Sequence, residues 1–312
     1  MEIDTLLRGG MEASAAREVE TTLLEDGHLV LTGASLRCVG TALSRWTGFT
    51  ALPLDIRQRY HQSVRAGEAR GGWSLMREHP VYSSHMSAAE LESAEPKQEF
   101  GFNIETERTL WPDEQTAPGF AASAKAAAEL LDATARALLG AFERVLGEAP
   151  GFLRHAPAYM ALKHYPAQPS ATMDEGGLHE HSDAVVFTML AQSVESLQIR
   201  ARDGSWLTAP ADPDGALVVI PGDWMELFTN GAIPAVRHRV MDTTQPRTSL
   251  AFFQNLAPMP VGPLDRFVGN GNPPRYPTVA SDIDYVGGDS GVPRWRTAQG
   301  IHGNHGAPAQ PN

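Results

Sequence analysis

Apolar residues recur at intervals of three and four along the first half of the chain and at alternating positions along much of the second. The sequence therefore predicts a helical front and a β-rich back. Ser14 to Leu24 carries an amphipathic helical pattern, His28-Leu-Val-Leu-Thr32 reads as a strand, and Thr41 to Tyr60 is again helical. From Ser123 to Leu146, Leu131, Ala135, Leu138, Leu139, Phe142, Val145 and Leu146 fall on one helical face, with Gly147 suited to the C-terminal cap. Such a helix is most simply a buttress beneath a β structure. Downstream, Asp203-Gly204 between Ser196–Arg202 and Ser205–Ala209 predicts a hairpin with a two-residue turn. Pro213-Asp-Gly215 turns the chain into Ala216-Leu-Val-Val-Ile220, a buried strand closed by Pro221-Gly222-Asp223. Short strands with turns at this interval point to a sandwich or barrel of the jelly-roll kind. Ala66 to Glu99 is the least patterned stretch; a lid over a site and ordinary disorder fit it equally. Gly300 to Asn312 reads as a flexible tail whose His302 and His305 are solvated residues.

Composition narrows the function classes. A net charge of −12 over 312 residues argues against nucleic acid or an anionic membrane surface as partner. Cys38 is the one cysteine, which excludes intrachain disulfides and thiolate metal clusters. The start, Met1-Glu-Ile-Asp-Thr-Leu-Leu-Arg8, lacks a basic region followed by a long apolar core, and no run of eighteen apolar residues occurs. These features lead to the expectation of a soluble cytoplasmic protein; they leave its oligomeric state open.

The chemistry is concentrated in His181-Ser-Asp183, His238 and Arg247-Thr-Ser249. Two neutral imidazoles and one carboxylate are the set that holds non-haem Fe(II) on one face of an octahedron, leaving the opposite face open. Residues i and i+2 of a strand project from one face, so His181 and Asp183 can reach one ion from a strand end, with His238 supplied by a strand packed opposite. A planar guanidinium makes two parallel bonds to a carboxylate, and a hydroxyl two residues along the strand adds a third from the same face. Arg247 and Ser249 have that arrangement.

With these motifs the chain resembles the isopenicillin-N-synthase-like family of Fe(II)- and 2-oxoglutarate-dependent dioxygenases. The resemblance rests on Tyr165-Pro166, Gly177, His181-Ser-Asp183, Thr188-Met-Leu190, Gln192, Leu197-Gln-Ile199, Gly204-Ser-Trp206, Gly215-Ala-Leu-Val-Val219, Gly222-Asp223, Thr229-Asn-Gly231, His238-Arg-Val240, Arg247-Thr-Ser249 and Phe252-Phe253. Looser matches lie in Glu25-Asp-Gly27, Phe49 to Asp55, Tyr60, Lys97-Gln-Glu-Phe100, Trp111-Pro112 and Pro118-Gly-Phe120, so the likeness runs from about residue 3 to about 285. It implies an α+β, mainly β fold: a double-stranded β-helix (jelly-roll) core over residues 156–290, an N-terminal helical and strand region over 1–155 packing on it, and a tail over 291–312. It implies iron held by His181, Asp183 and His238, with O₂ and 2-oxoglutarate as co-substrates. The distal carboxylate of 2-oxoglutarate would be held by Tyr165, Arg247 and Ser249. It further implies oxidation of a small molecule by hydroxylation, desaturation or ring formation in specialised metabolism, an amino-acid derivative being one substrate class. An aspartate at position 183 argues against halogenation. Where relatives often carry Asn, two residues before the tyrosine, this chain has Lys163.

Three other readings compete. An oxidase or oxidative cyclase of the isopenicillin N synthase type would keep the triad yet use no 2-oxoglutarate. His179-Glu-His181-Ser-Asp183 also spells the H-x-H-x-D of metallo-β-lactamase-like zinc hydrolases, but Ala184 stands where those have another histidine. A non-catalytic β-barrel binding protein is disfavoured by the intact triad. His179 is left either at the pocket border or in a solvated turn. Arg237 is assigned a surface role, since strand alternation turns it from His238. Trp73, Phe100, Met189 and Phe253 map loosely onto the pocket walls but are better explained as core.

Overall fold

The computed structural model describes residues 1–8, 13–62, 71–75, 97–104, 108–168, 176–269 and 271–281. In chain order the elements are α1 (Ile3–Arg8), α2 (Ala13–Glu25), β1 (Leu29–Thr32), α3 (Arg37–Thr50), α4 (Leu54–Gln58), β2 (Gly72–Leu75), β3 (Gln98–Asn103) and α5 (Phe120–Leu146). The second half continues with β4 (Tyr159–Tyr165), β5 (Gly176–His181), β6 (Phe187–Gln192), β7 (Leu197–Arg200), β8 (Trp206–Thr208) and β9 (Ala216–Pro221). It closes with α6 (Asp223–Phe228), β10 (His238–Met241), β11 (Arg247–Gln254), β12 (Pro260–Val261) and β13 (Val279–Ala280). A seven-stranded sheet of order β1-β9-β6-β11-β4-β3-β2 faces a four-stranded sheet of order β5-β10-β7-β8. This is the jelly roll that the strand spacing implied. β1, β2 and β3, from the first half of the chain, belong to the same sheet as the strands of the second half.

Most expected elements form, with instructive differences. The helix expected over Thr41–Tyr60 is two, α3 and α4, because Pro53 lacks the N–H needed to continue the ladder and instead starts the second. The hairpin at Asp203-Gly204 has a three-residue turn: Ala201 and Ser205 close it with a 2.8 Å backbone bond, and Gly204 takes the left-handed conformation at φ 85°. Part of the stretch read as a lid or disorder, Gly72–Leu75 and Gln98–Glu99, is paired strand; residues 76–96 lie outside the described set, as does the C-terminal tail.

α5 extends three residues further back than its apolar stripe required and ends at Gly147, whose φ of 75° suits a residue without Cβ. Its buried face packs with α2 and α3, and Phe142 meets Phe187 of β6 edge-on at 5.2 Å. Truncating a side chain such as Phe142, fully buried, costs about 3–5 kcal/mol.

Strand alternation then decides what faces where. In β11, Leu250 and Phe252 join Met160, Leu162 and Met189 in the core beneath the helices. Arg247, Ser249, Ala251 and Phe253 face the other way, into the lumen between the sheets. A second, smaller core of Leu197, Ile199, Val218, Ile220 and Val236 fills part of that lumen, with Leu190 packed on it. The register across β3, β4, β11 and β6 lays the lumenal side chains out in rows. One row runs Glu99, Lys163, Ser249, Gln192; the next Gly101, Ala161, Ala251, Leu190; the third Asn103, Tyr159, Phe253, Thr188.

Candidate metal and co-substrate site

β5 ends at His181, and Asp183 follows in the turn two residues on rather than on the strand itself. His238 opens β10, which is the hydrogen-bonded neighbour of β5 in the same sheet, not a strand packed opposite as the spacing suggested. The register places His238 across from His181, and the two rings lie 4.1 Å apart. Asp183 Oδ1 is 3.7 Å from His181 Nε2 and Asp183 Oδ2 is 3.7 Å from His238 Nε2. One ligand atom from each residue falls within 4.8 Å of the others, the span of donors around a single ion.

Neighbouring groups aim these donors. His238 Nδ1 lies 3.2 Å from the Val236 carbonyl, which can only accept, so Nδ1 carries the proton and Nε2 presents its lone pair to the centre. Thr188 donates to Asp183 Oδ2 at 2.5 Å, and the Asp223 amide donates to the Asp183 carbonyl at 2.8 Å. Burial pushes the Asp183 carboxyl upward, but His238, His181, the Thr188 hydroxyl and the Lys163 ammonium outweigh it and hold the group below the ordinary carboxylate range. A dry, ionised carboxylate between two imidazoles is a donor set that asks for a cation. Gly222 is required for a local reason: a Cβ there would stand 2.3 Å from the Val185 carbonyl oxygen and 2.7 Å from that of Asp183.

Outside the triad, Arg237, adjacent to His238, binds Glu180, adjacent to His181, through Nε at 3.0 Å and reaches the Glu180 carbonyl at 3.2 Å. Arg200 joins the same carboxylate at 3.1 Å. The surface role expected for Arg237 is thus an ion pair that ties β10 to β5 beside the ligands. The His179 side chain lies outside the described residues.

Along the lumen, Arg247 and Tyr165 are register partners, and the guanidinium carbon lies 3.4 Å over the tyrosine ring. Arg247 is 2% exposed, so a surface ion pair does not describe it, and its Nε and Nη2 have no hydrogen-bond partner among the described residues. Burial pulls its pKa down against the opposing pull of Tyr165 and Asp242. Ser249 is the next lumenal residue toward the triad. An orphaned, buried guanidinium fork with a hydroxyl beside it fits the distal carboxylate of a dicarboxylic acid.

Of the residues mapped to pocket walls, Phe100 and Met189 are fully buried on the helix side, and Trp73 is 1% exposed with its Nε1 on Gln98; none of the three lines the lumen. Phe253 does. Thr188 was visible only as part of a family pattern, and Glu99 and Tyr159, which bond to each other at 2.7 Å, carried no sequence signal of a role.

Comparison with known proteins agrees with this geometry. Residues 156–256 match the model of the 2OG-Fe(II) oxygenase superfamily. Among curated proteins, the chain is 34% identical over 111 residues to gibberellin 2-beta-dioxygenase 2 of Arabidopsis thaliana, covering 32% of each chain. It is 32% identical over 193 residues to the 2-oxoglutarate-dependent dioxygenase ecdK of Aspergillus rugulosus, covering 53% of this chain and 56% of that one. The matches thus span about a third to just over half of these relatives. A crystal structure of JOX2 in complex with 2OG, Fe and JA superposes with a TM-score of 0.70 at 22% identity, over 90% of this chain and 82% of that one. The fold is that of the 2OG-Fe(II) oxygenases. Through residues 156–256 the chain belongs to the Fe(II)/2-oxoglutarate dioxygenase family.

Proposed function

We propose that the protein is an Fe(II)- and 2-oxoglutarate-dependent dioxygenase that oxidises a small organic molecule, an amino-acid derivative in specialised metabolism, by hydroxylation, desaturation or ring formation. The observation that carries this reading is the pairing of a two-histidine, one-carboxylate cluster with an orphaned, buried Arg247 fork along the same lumen. Relatives named as 2-oxoglutarate-dependent dioxygenases support it over the synthase-type alternative. When bound, iron and 2-oxoglutarate supply the oxidising power: O₂ converts 2-oxoglutarate to succinate and CO₂ and, in a hydroxylation, the second oxygen atom enters a substrate C–H bond.

The chain's own residues hold and orient. His181, Asp183 and His238 would bind the metal through one face. Arg247, with Ser249 and Tyr165, would take the distal carboxylate and so fix which end of the co-substrate reaches the metal. Thr188 and Val236 keep two of the ligands in the protonation state and rotamer the metal needs. Asp183 fills the position a halide would need, which turns the site away from halogenation. An anaerobic titration tests the reading: Fe(II) with 2-oxoglutarate should develop the weak visible charge-transfer band of the chelate. No band, or turnover without succinate, defeats it in favour of the 2-oxoglutarate-independent oxidase.

A further inference from the structure

The row Gly101, Ala161, Ala251 is a floor of minimal side chains across three adjacent strands of the lumen. Small residues at neighbouring register positions leave a hollow. Its two long edges are not alike. Toward β6 it ends near Thr188, the residue that holds Asp183. Toward β3 it ends at Glu99, Lys163 and Tyr159. Interstrand spacing of about 4.8 Å puts β3 roughly 14 Å from β6. A small molecule fits between them.

The β3 end is built rather than incidental. Glu99 is 3% exposed and Lys163 is 7% exposed, both on the lumenal face. Glu99 Oε1 accepts the Tyr159 hydroxyl at 2.7 Å, and Glu99 Oε2 lies 3.9 Å from Lys163 Nζ, beyond hydrogen-bond reach. The Lys163 ammonium also sits 5.8 Å over Phe253, whose ring is 6.2 Å from that of Tyr159. Gly101 makes the arrangement possible: a Cβ there would stand 1.7 Å from the Tyr159 hydroxyl oxygen. A loosely spaced buried ion pair adds little stability over an apolar pair of the same size. Stability alone is therefore a poor reason for these charges to line a hollow.

Charge decides what they could take. On the proposed reading, iron and 2-oxoglutarate cancel each other, as do Arg247 and Asp183, Lys163 and Glu99, and Lys97 with Asp242 at 3.9 Å. Among the described residues the lumen is then balanced, and a substrate with net charge would enter uncompensated. We infer that Glu99, Lys163 and Tyr159 anchor the substrate and select a group without net charge that sets a hydrogen-bond donor beside an acceptor, as an α-amino acid or a carboxamide does. The donor meets Glu99, the acceptor meets Lys163, and the carbon to be oxidised lies several bonds away, at the Thr188 end. This deepens the dioxygenase reading and rests on it.

The test is a ligand screen on the protein loaded with Fe(II) and 2-oxoglutarate and kept anaerobic. Compounds sharing a hydrocarbon body are presented as carboxylic acid, amine, amino acid and carboxamide. Binding is read from the shift of the chelate band and from melting temperature. The amino acids or carboxamides should bind best. Glu99→Gln and Lys163→Met should each weaken the best ligand about 10- to 100-fold, while 2-oxoglutarate affinity stays within about threefold of wild type. Glu99→Asp should retain part of the affinity. Tighter binding by the acids or amines overturns the inference, as does the absence of any amino-acid or carboxamide ligand. So does a variant that loses 2-oxoglutarate instead, since Lys163 would then belong to the co-substrate. Should a variant fail to fold, the wild-type ranking decides alone. A wild-type protein with no chelate band would sink the dioxygenase reading, and melting temperature would still judge the anchor.

Discussion

Arg247→Met separates what this residue does for the fold from what it does for the co-substrate. The guanidinium is 2% exposed, and its Nε and Nη2 have no partner among the described residues. Leaving a buried donor unsatisfied costs about 1–3 kcal/mol, more when charged. Without co-substrate, then, the variant should melt at or above wild type. With co-substrate the order should reverse. Losing the charge-assisted partner of a buried carboxylate costs about 2–5 kcal/mol, roughly 30- to several-thousand-fold in affinity. A ligand held at about a hundred times its wild-type Kd stabilises the folded state by about 2.7 kcal/mol, and the variant forfeits nearly all of that. Two measurements suffice: anaerobic titration of the chelate band for the Kd, and melting curves with and without 2-oxoglutarate. Arg247→Lys should rescue only partly, because an ammonium cannot reproduce the planar fork. The reasoning fails if co-substrate affinity holds while substrate affinity falls. It fails equally if the bare variant is much less stable yet responds normally to 2-oxoglutarate, for then the contact with Tyr165 is what matters.

His181→Ala, Asp183→Ala and His238→Ala should each abolish turnover and iron retention, measured by metal analysis after gel filtration, with circular dichroism unchanged; near-normal activity in any one would mean the triad is misassigned. Turnover in excess chloride or bromide should yield no halogenated product by mass spectrometry. Gly222→Ala forces the Asp183–Val185 turn to move, because its Cβ would stand 2.3 Å from a backbone oxygen. It should cost about 1–3 kcal/mol and weaken iron binding, and a variant equal to wild type in both would show that the turn is not fixed. Arg237→Met should loosen iron more than it lowers stability, whose loss should stay within about 1 kcal/mol for a half-exposed pair. The Asp113 carboxyl is held below its usual range by the Thr116 amide and hydroxyl and by Tyr60. Its contribution is therefore present above the unfolded carboxylate pKa and lost as pH falls through the lower folded one. Asp113→Asn should melt lower than wild type near neutrality, and the gap should close in acid; a gap independent of pH would exclude the charge as its source.

The metal cluster was legible in the chain because its requirement is local. His181 and Asp183 need only the i, i+2 relation, and Arg247 and Ser249 the same, so residue type and spacing carry the chemistry without the fold. What spacing could not say is which strand lies beside which. His238 was assigned to a facing strand, yet β10 is the neighbour of β5, a matter settled by pairing between segments far apart in sequence. The same limit hid Glu99 and Tyr159. Glu99 sits in an unpatterned stretch, and nothing in Lys97-Gln-Glu-Phe100 marks it as lumenal until β3 pairs with β4 and sets it opposite Lys163. Once the register is known, Gly101 changes meaning as well: in the sequence it is an ordinary glycine, and in the sheet it is the space that Tyr159 needs to reach Glu99. Met189 shows the converse. Its neighbours Thr188 and Leu190 face the lumen, so a map of pocket walls one residue out of phase selects a core methionine. Metal and co-substrate binding are thus written in short motifs that survive translation from sequence alone. Substrate choice is written across strands, in rows that only the register assembles, and the rows here set the Glu99–Lys163 pair and the iron ligands at opposite ends of one hollow.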